Sequence, residues 1–123
     1  MKHYLFVCYA NRNRSPRGQK IFQEMLVEAG YKVWNVNALT DADYEVCSAG
    51  TNADENGNDM NEELGQRMDV VFALDPSILE TLVNDFRVPK RKIINLDVPD
   101  IYTSKELEVI LTRKLRLHVP KRE

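Results

Sequence analysis

Apolar positions along this chain fall into two alternating rhythms. Residues 3–8 (HYLFVC) carry a short, nearly continuous apolar run, the pattern of a buried strand that opens the fold. Residues 15–29 then place Ile21, Phe22, Met25, Leu26 and Ala29 on one helical face, and Gly30 is the stop signal just past it. Residues 31–43 read two ways, as a short strand (YKVWNV) or as an irregular excursion. Tyr44-Glu45-Val46-Cys47 reads as a second strand, ended by Ser48-Ala49-Gly50-Thr51. The polar stretch 52–62 is a loop or a loosely ordered start to a short helix. Residues 69–74 (DVVFAL) are a third, buried strand. Asp75-Pro76-Ser77 has the form of a helix start, with Asp75 as N-cap and Pro76 at the first helical position. Ile78, Leu79, Leu82, Val83 and Phe86 give that helix its apolar face. Residues 92–96 (KIINL) make a fourth strand. Thr103 or Ser104 caps a last helix carrying Leu107, Ile110, Leu111 and Leu115.

Strands separated by helix-length segments imply βαβ units and a parallel sheet. In such sheets ligands sit beyond the carboxyl ends of the strands. The turns after Cys8, Ser48, Leu74 and Leu96 therefore share one edge. That edge gathers Cys8, the loop 9–15, Asp75 and the segment 97–102.

Composition narrows the class without choosing a chemistry. The 123 residues suit one domain, 1–123, and 43% hydrophobic with 29% charged residues is an ordinary globular balance. Seventeen basic residues nearly cancel nineteen acidic ones, for a net charge of -2. Nothing global argues for nucleic acid or a membrane surface, so an anion site must be local. No stretch is apolar enough to span a bilayer. The first apolar run leads into Asn11-Arg12-Asn13-Arg14 rather than a cleavage site, so it reads as a strand and not a leader. The only two cysteines, Cys8 and Cys47, are expected as free thiols in a reducing, cytoplasmic setting.

The chemistry concentrates in Val7-Cys8-Tyr9-Ala10-Asn11-Arg12-Asn13-Arg14-Ser15-Pro16. Cys8 ends a strand and a helix starts near Ser15. Between them the backbone can curl so that the N–H groups of Tyr9, Ala10, Asn11, Arg12, Asn13, Arg14 and Ser15 point inward. Such a nest at a helix N-terminus suits a tetrahedral dianion. Five residues between Cys8 and Arg14 are enough to wrap one phosphate and bring the planar guanidinium fork onto two of its oxygens. The same setting favours the thiolate of Cys8. Ser15 can donate to that thiolate, and Asn11 tolerates the left-handed backbone such a loop needs. Taken alone, a Cys at a strand end is usually a small buried hydrophobe. The complete C-x5-R-S pattern at a strand-to-helix turn reverses that reading.

This segment resembles the low-molecular-weight protein tyrosine phosphatases, whose loop reads V-C-x-G-N-x-C-R-S-P. Val7, Cys8, Asn11, Arg14, Ser15 and Pro16 match; Ala10 stands where Gly is usual and Asn13 where a second cysteine is usual. Ser48-Ala49-Gly50-Thr51, Asp69 to Asp75 and Val98-Pro99-Asp100-Ile101-Tyr102 resemble three further family segments, in the family's order. Only the 17 residues 52–68 separate Thr51 from Asp69, where the family has a longer helical segment, so the chain resembles a shorter branch. The resemblance implies an α/β three-layer sandwich with a four-stranded parallel sheet of order 2-1-3-4 and helices on both faces. It implies hydrolysis of a phosphotyrosine protein or small phosphomonoester through a phosphocysteine. Inorganic phosphate would bind as a ligand, and no cofactor or metal is needed.

A phosphomonoester's leaving group needs a proton, which an Asp on a mobile loop can supply. Asp100 and Asp97 are the candidates, and V-P-D-x-Y aligns Asp100 with the family's acid. Tyr102 either stacks on an aryl substrate or packs the last helix. Asp75 reads as an N-cap rather than a catalyst, and Cys47 as core. Arg12 either broadens the positive field at the cleft mouth or is a solvated loop charge. His3 and His118 have no metal-site spacing. Arg113-Lys114-Leu115-Arg116, with Lys121 and Arg122, reads as the exposed basic end of a helix. Four other readings compete. A phosphocysteine carrier of a sugar-transport system also has a Cys after the first strand but does not need Arg14. An arsenate reductase would need a cysteine relay, for which only Cys47 is left. RNA polymerase tail phosphatases share N-x-N-R-S but are longer. A phosphate- or phosphoprotein-binding module that lacks turnover is the alternative from another class.

Overall fold

The structure is a computed structural model, and residues 1–121 are described; Arg122 and its place in the basic tail lie outside them. Four strands, β1 (Lys2–Cys8), β2 (Tyr44–Gly50), β3 (Val70–Ala73) and β4 (Ile93–Asn95), form one sheet in the order β2-β1-β3-β4. All three pairings are parallel, and Cys8 lies opposite Gly50 in register. The helices are α1 (Arg14–Glu28), α2 (Glu62–Arg67), α3 (Pro76–Asn84) and α4 (Ser104–Leu115). The expected α/β sandwich, strand order and common carboxyl edge all hold.

Strand periodicity sorts the core into two layers. Tyr4, Phe6 and Cys8 face one side, where Ile21, Phe22, Met25 and Leu26 of α1 and Leu107, Leu111 and Leu115 of α4 pack. Phe6 and Phe72 stack there at 4.7 Å, with Phe22 edge-on to Phe72 at 5.6 Å. All three rings are fully buried, each worth roughly 1.5–3 kcal/mol of transfer free energy. Leu5, Val7, Val71 and Ala73 face the other side, against Ile78 and Leu82 of α3. Met60, Met68 and the half-buried Leu64 of α2 complete that layer.

Helix ends follow local chemistry. Pro16 falls within the first turn of α1, where a missing N–H costs no helical bond. That helix closes at Gly30 (φ 93°), with Gly30 N–H on the Val27 carbonyl and Tyr31 N–H on that of Leu26. Thr103, not Ser104, caps α4, in a reciprocal box with Glu106. Residues 31–43 resolve to the irregular alternative. Only isolated bridges form, Val33 to Tyr44 and Trp34 to Ala38, and Asn35 and Asp41 adopt positive φ. The fourth strand is shorter than 92–96, because Lys90–Lys92 form a 3-10 turn. The stretch 52–62 is a loop up to Asn61, which caps α2 by accepting from Leu64 N–H.

Candidate active site

Cys8 is the last residue of β1 and forms part of the floor of a cleft of about 150 Å³. Tyr9, Ala10, Arg12, Asn13, Arg14 and Asp100 line the rest of that cleft. Cys8 as a whole is only 3% exposed. Its sulfur shares a 2.9 Å hydrogen bond with Ser15 Oγ and accepts the Asn11 N–H at 3.2 Å. A hydroxyl has one proton to give. Ser15 Oγ already accepts from Asn11 Nδ2 at 2.9 Å, and its other acceptor, the Ala49 carbonyl, is distant at 3.4 Å. The Ser15 proton is therefore free to point at the Cys8 sulfur.

Asn11 and Ser15 are buried beneath the loop rather than on the cleft wall. Asn11 has φ 52°, the left-handed geometry expected of it. Its side chain is used at both ends: Nδ2 donates to Ser15 and to Ser48 Oγ (3.0 Å), and Oδ1 accepts Asn58 N–H (2.8 Å). The loop is also gripped from the side by the segment after β2. Thr51, Asn52 and Asp54 N–H groups donate to the carbonyls of Cys8, Tyr9 and Ala10 at 3.0, 2.8 and 3.3 Å. Gly50 permits this approach. A Cβ there would lie 2.7 Å from the Tyr9 carbonyl oxygen and 2.8 Å from Asn11 N.

Arg14 opens α1 and is 7% exposed. Its Nη1 donates to Asp75 Oδ2 at 2.8 Å and to the Val98 carbonyl at 2.9 Å. Both Nη1 protons are thereby used, which fixes the guanidinium plane. Asp75 does more than cap α3 through Ile78 N–H. Burial pushes its carboxyl up, but hydrogen bonds from Arg14, Ser77 and Ile78 outweigh that and hold it below the usual range. Its part in clasping Arg14 escaped the sequence reading. The available signal was its position just past the third strand, on the shared edge.

The segment carrying the two candidate acids is pinned by Val98, whose N–H reaches the Leu74 carbonyl at 2.6 Å. Asp100 is exposed and reaches the cleft. Asp97 is not brought to it. Its φ is 55°, its N–H donates to Asn95 Oδ1, and its carbonyl accepts from Lys114 Nζ at 2.8 Å. Lys114 also holds the Leu96 carbonyl at 2.7 Å, so this lysine of the basic helix end anchors the acid segment. Tyr102 is half-buried against the α1/α4 core layer and is not among the cleft-lining residues. Arg12 lies on the cleft wall in an ion pair with Asp54 at 2.8 Å. Cys47 is half-buried against the opposite core layer from Cys8, and its thiol is pushed up to about 11 by burial and the nearby Glu45. Among the described residues no cluster of three His, Cys, Asp or Glu could hold a metal, and no helix is long and apolar enough to cross a membrane.

No family model matches the chain, and no curated protein matches it by sequence. Solved structures do. A low-molecular-weight protein tyrosine phosphatase from T. tengcongensis superposes with a TM-score of 0.72 at 22% identity, over 97% of this chain and 100% of that one. The tyrosine phosphatase Wzb from Escherichia coli K30, in complex with phosphate, gives 0.69 at 17% identity over 95% of each chain. The arginine phosphatase YwlE of Bacillus subtilis, as a cysteine-to-serine mutant with a phosphorylated active-site serine, gives 0.68 at 19% over 93% and 95%. In sheet order and in overall superposition, this chain has the fold of the low-molecular-weight protein tyrosine phosphatases.

Proposed function

We propose that this protein is a cysteine-dependent phosphomonoester hydrolase acting on phosphotyrosine or a similar small phosphoester, as one domain spanning the chain. The observation that carries the reading is Cys8 in the cleft lining, with its sulfur bonded to Ser15 Oγ and the Asn11 N–H. Core packing does not call for a hydroxyl and an amide aimed at a thiol.

In this reading Cys8 Sγ attacks phosphorus as the P–O bond to the leaving group breaks. The loop N–H groups, with Nε and Nη2 of Arg14, hold the equatorial oxygens. Asp100 gives its proton to the leaving oxygen. Ser15 then donates to the sulfur as water, deprotonated by Asp100, splits the S–P bond and releases phosphate. The neighbouring folds support the chemistry: Wzb binds phosphate, and the YwlE serine mutant is phosphorylated at its active site. We place the protein in the cytoplasm, where two unpaired thiols persist.

Turnover of p-nitrophenyl phosphate tests the reading. The wild-type chain should hydrolyse it with EDTA present, and Cys8→Ser should bind phosphate yet turn over nothing. Phosphate binding without turnover in the wild type would leave a phosphate-binding module instead. Full activity in Cys8→Ser, or loss of activity to EDTA, would remove the covalent mechanism.

A further inference from the structure

Two guanidinium groups line the cleft, and they are held differently. Arg14 is buried and bound to Asp75 and Val98. Arg12 has a side chain 74% exposed, and its Nε and Nη2 both reach Oδ2 of Asp54 at 2.8 Å. Asp54 is itself fixed, with its N–H on the Ala10 carbonyl and its Oδ1 accepting the Asn56 N–H. The Arg12 guanidinium, then the Asn56 N–H, holds the Asp54 carboxyl below the usual range. One carboxylate oxygen thus orients the fork from one side, and Nη1 has no partner among the described residues.

The plain alternative is that Arg12 ties the turn after β2 to the phosphate loop. That turn is already tied by the N–H groups of Thr51, Asn52 and Asp54. An ion pair this exposed adds little stability. What it does supply is the positive end of an oriented ion pair on the wall of the cleft, with Asp54 as its negative end. A phosphomonoester seated against Cys8 has Arg12 among the walls around it, beside Tyr9, Asn13 and Asp100.

We infer that Arg12 determines specificity by charge: it favours phosphoesters whose leaving side carries a second anion, and disfavours a cationic leaving side such as phosphoarginine. This rests on the phosphatase reading above.

The test uses the full chain and three phosphotyrosine peptides that differ only in Glu, Gln or Lys beside the phosphotyrosine, with p-nitrophenyl phosphate as reference. Each charge step should change kcat/KM roughly threefold, mainly through KM, the size of one exposed charge pair. The Glu-to-Lys ratio is therefore about tenfold, and it should shrink as salt is raised. Arg12→Gln should bring the ratio near one, and Arg12→Lys should restore most of it. Equal turnover of the three peptides overturns the inference while leaving the phosphatase reading intact. So does a preference that survives Arg12→Gln, or one that salt does not change. If p-nitrophenyl phosphate is not turned over either, both readings fall together. Should Arg12→Gln not fold, Arg12→Lys and the wild-type salt dependence decide.

Discussion

Arg14 Nη1 lies 2.8 Å from Asp75 Oδ2, and this contact joins the end of the Cys8–Arg14 loop to the start of α3. One carboxylate does two jobs: Oδ1 caps the helix through Ile78 N–H and Oδ2 aims the guanidinium. Asp75→Asn separates them, since Asn also caps well. Removing one partner of a fully buried pair costs about 3–5 kcal/mol, and the solvent contact at Asp75 reduces this to roughly 1–3 kcal/mol. Activity should fall with stability, because Arg14 loses its fixed plane. Urea unfolding and phosphate affinity check both.

The same pair sets an acid limit. The Asp75 carboxyl titrates below its usual range in the folded state. Its contribution to stability is therefore complete above the unfolded value, about 3.9, and is lost as pH falls through the lower folded one. Stability measured from pH 7 down to pH 2 should drop more steeply in the wild type than in Asp75→Asn. Parallel curves would show that Asp75 does not carry this dependence.

Gly50 offers a test of the loop's support. A Cβ there meets backbone atoms of Tyr9, Ala10 and Asn11 at 2.7–2.9 Å. Backbone cannot rotate away as a side-chain tip can, so the loop 9–11 must shift. Gly50→Ala should cost about 1–3 kcal/mol, as overpacking does. It should also weaken phosphate binding by more than its effect on stability implies. Isothermal titration with phosphate beside thermal unfolding separates the two.

Most of the fold was legible because its signals are local. The runs at 3–8 and 69–74, the helical face of Ile21 to Leu26, and the Asp75-Pro76 start each report one element. The Cys8-to-Arg14 spacing likewise announced the loop. What stayed hidden depends on contacts remote in sequence. Asp75 looks like a complete N-cap, and nothing local says that its second oxygen meets a residue 61 positions away. Asn58 sits in an Asn/Asp/Gly-rich stretch that reads as loop, yet its N–H holds Asn11. Lys114 belongs to a run of charges at a helix end, which hides its grip on Leu96 and Asp97. The helix α2 is only six residues long and too short for a periodic signal.

The two cysteines should oxidise separately. Leu5 pairs with Cys47 and Cys8 with Gly50, and alternation sends the two thiols to opposite core layers. Asn13 leaves no second thiol in the loop. Mild peroxide should take Cys8 to sulfenic and then sulfinic acid. Iodoacetate near neutral pH should label Cys8 first, with phosphate protecting it, because the Cys47 thiol is pushed up to about 11. Mass spectrometry that finds a Cys8–Cys47 disulfide would contradict the geometry.

The proton donor is separable by leaving group. Asp100 reaches the cleft that holds Cys8, whereas Asp97 is turned into the Asn95–Lys114 bonding at φ 55°. Phosphotyrosine releases a poor leaving group and needs the proton. An activated aryl ester needs it less. Asp100→Asn should therefore cost on the order of 10²–10⁴-fold in kcat with phosphotyrosine, the usual size of general acid–base help, and much less with the activated ester. Asp97→Asn should stay within about 0.5 kcal/mol of wild type and keep the leaving-group profile, because Asn tolerates the left-handed backbone. Asp97→Val should instead cost roughly 1–2 kcal/mol through backbone strain alone. If Asp97→Asn shows the leaving-group dependence and Asp100→Asn does not, the segment 97–102 must rearrange on binding to present the other carboxylate. If neither does, the donor is outside this segment. Tyr9, whose phenol can give up a proton, is then the cleft-wall side chain to vary.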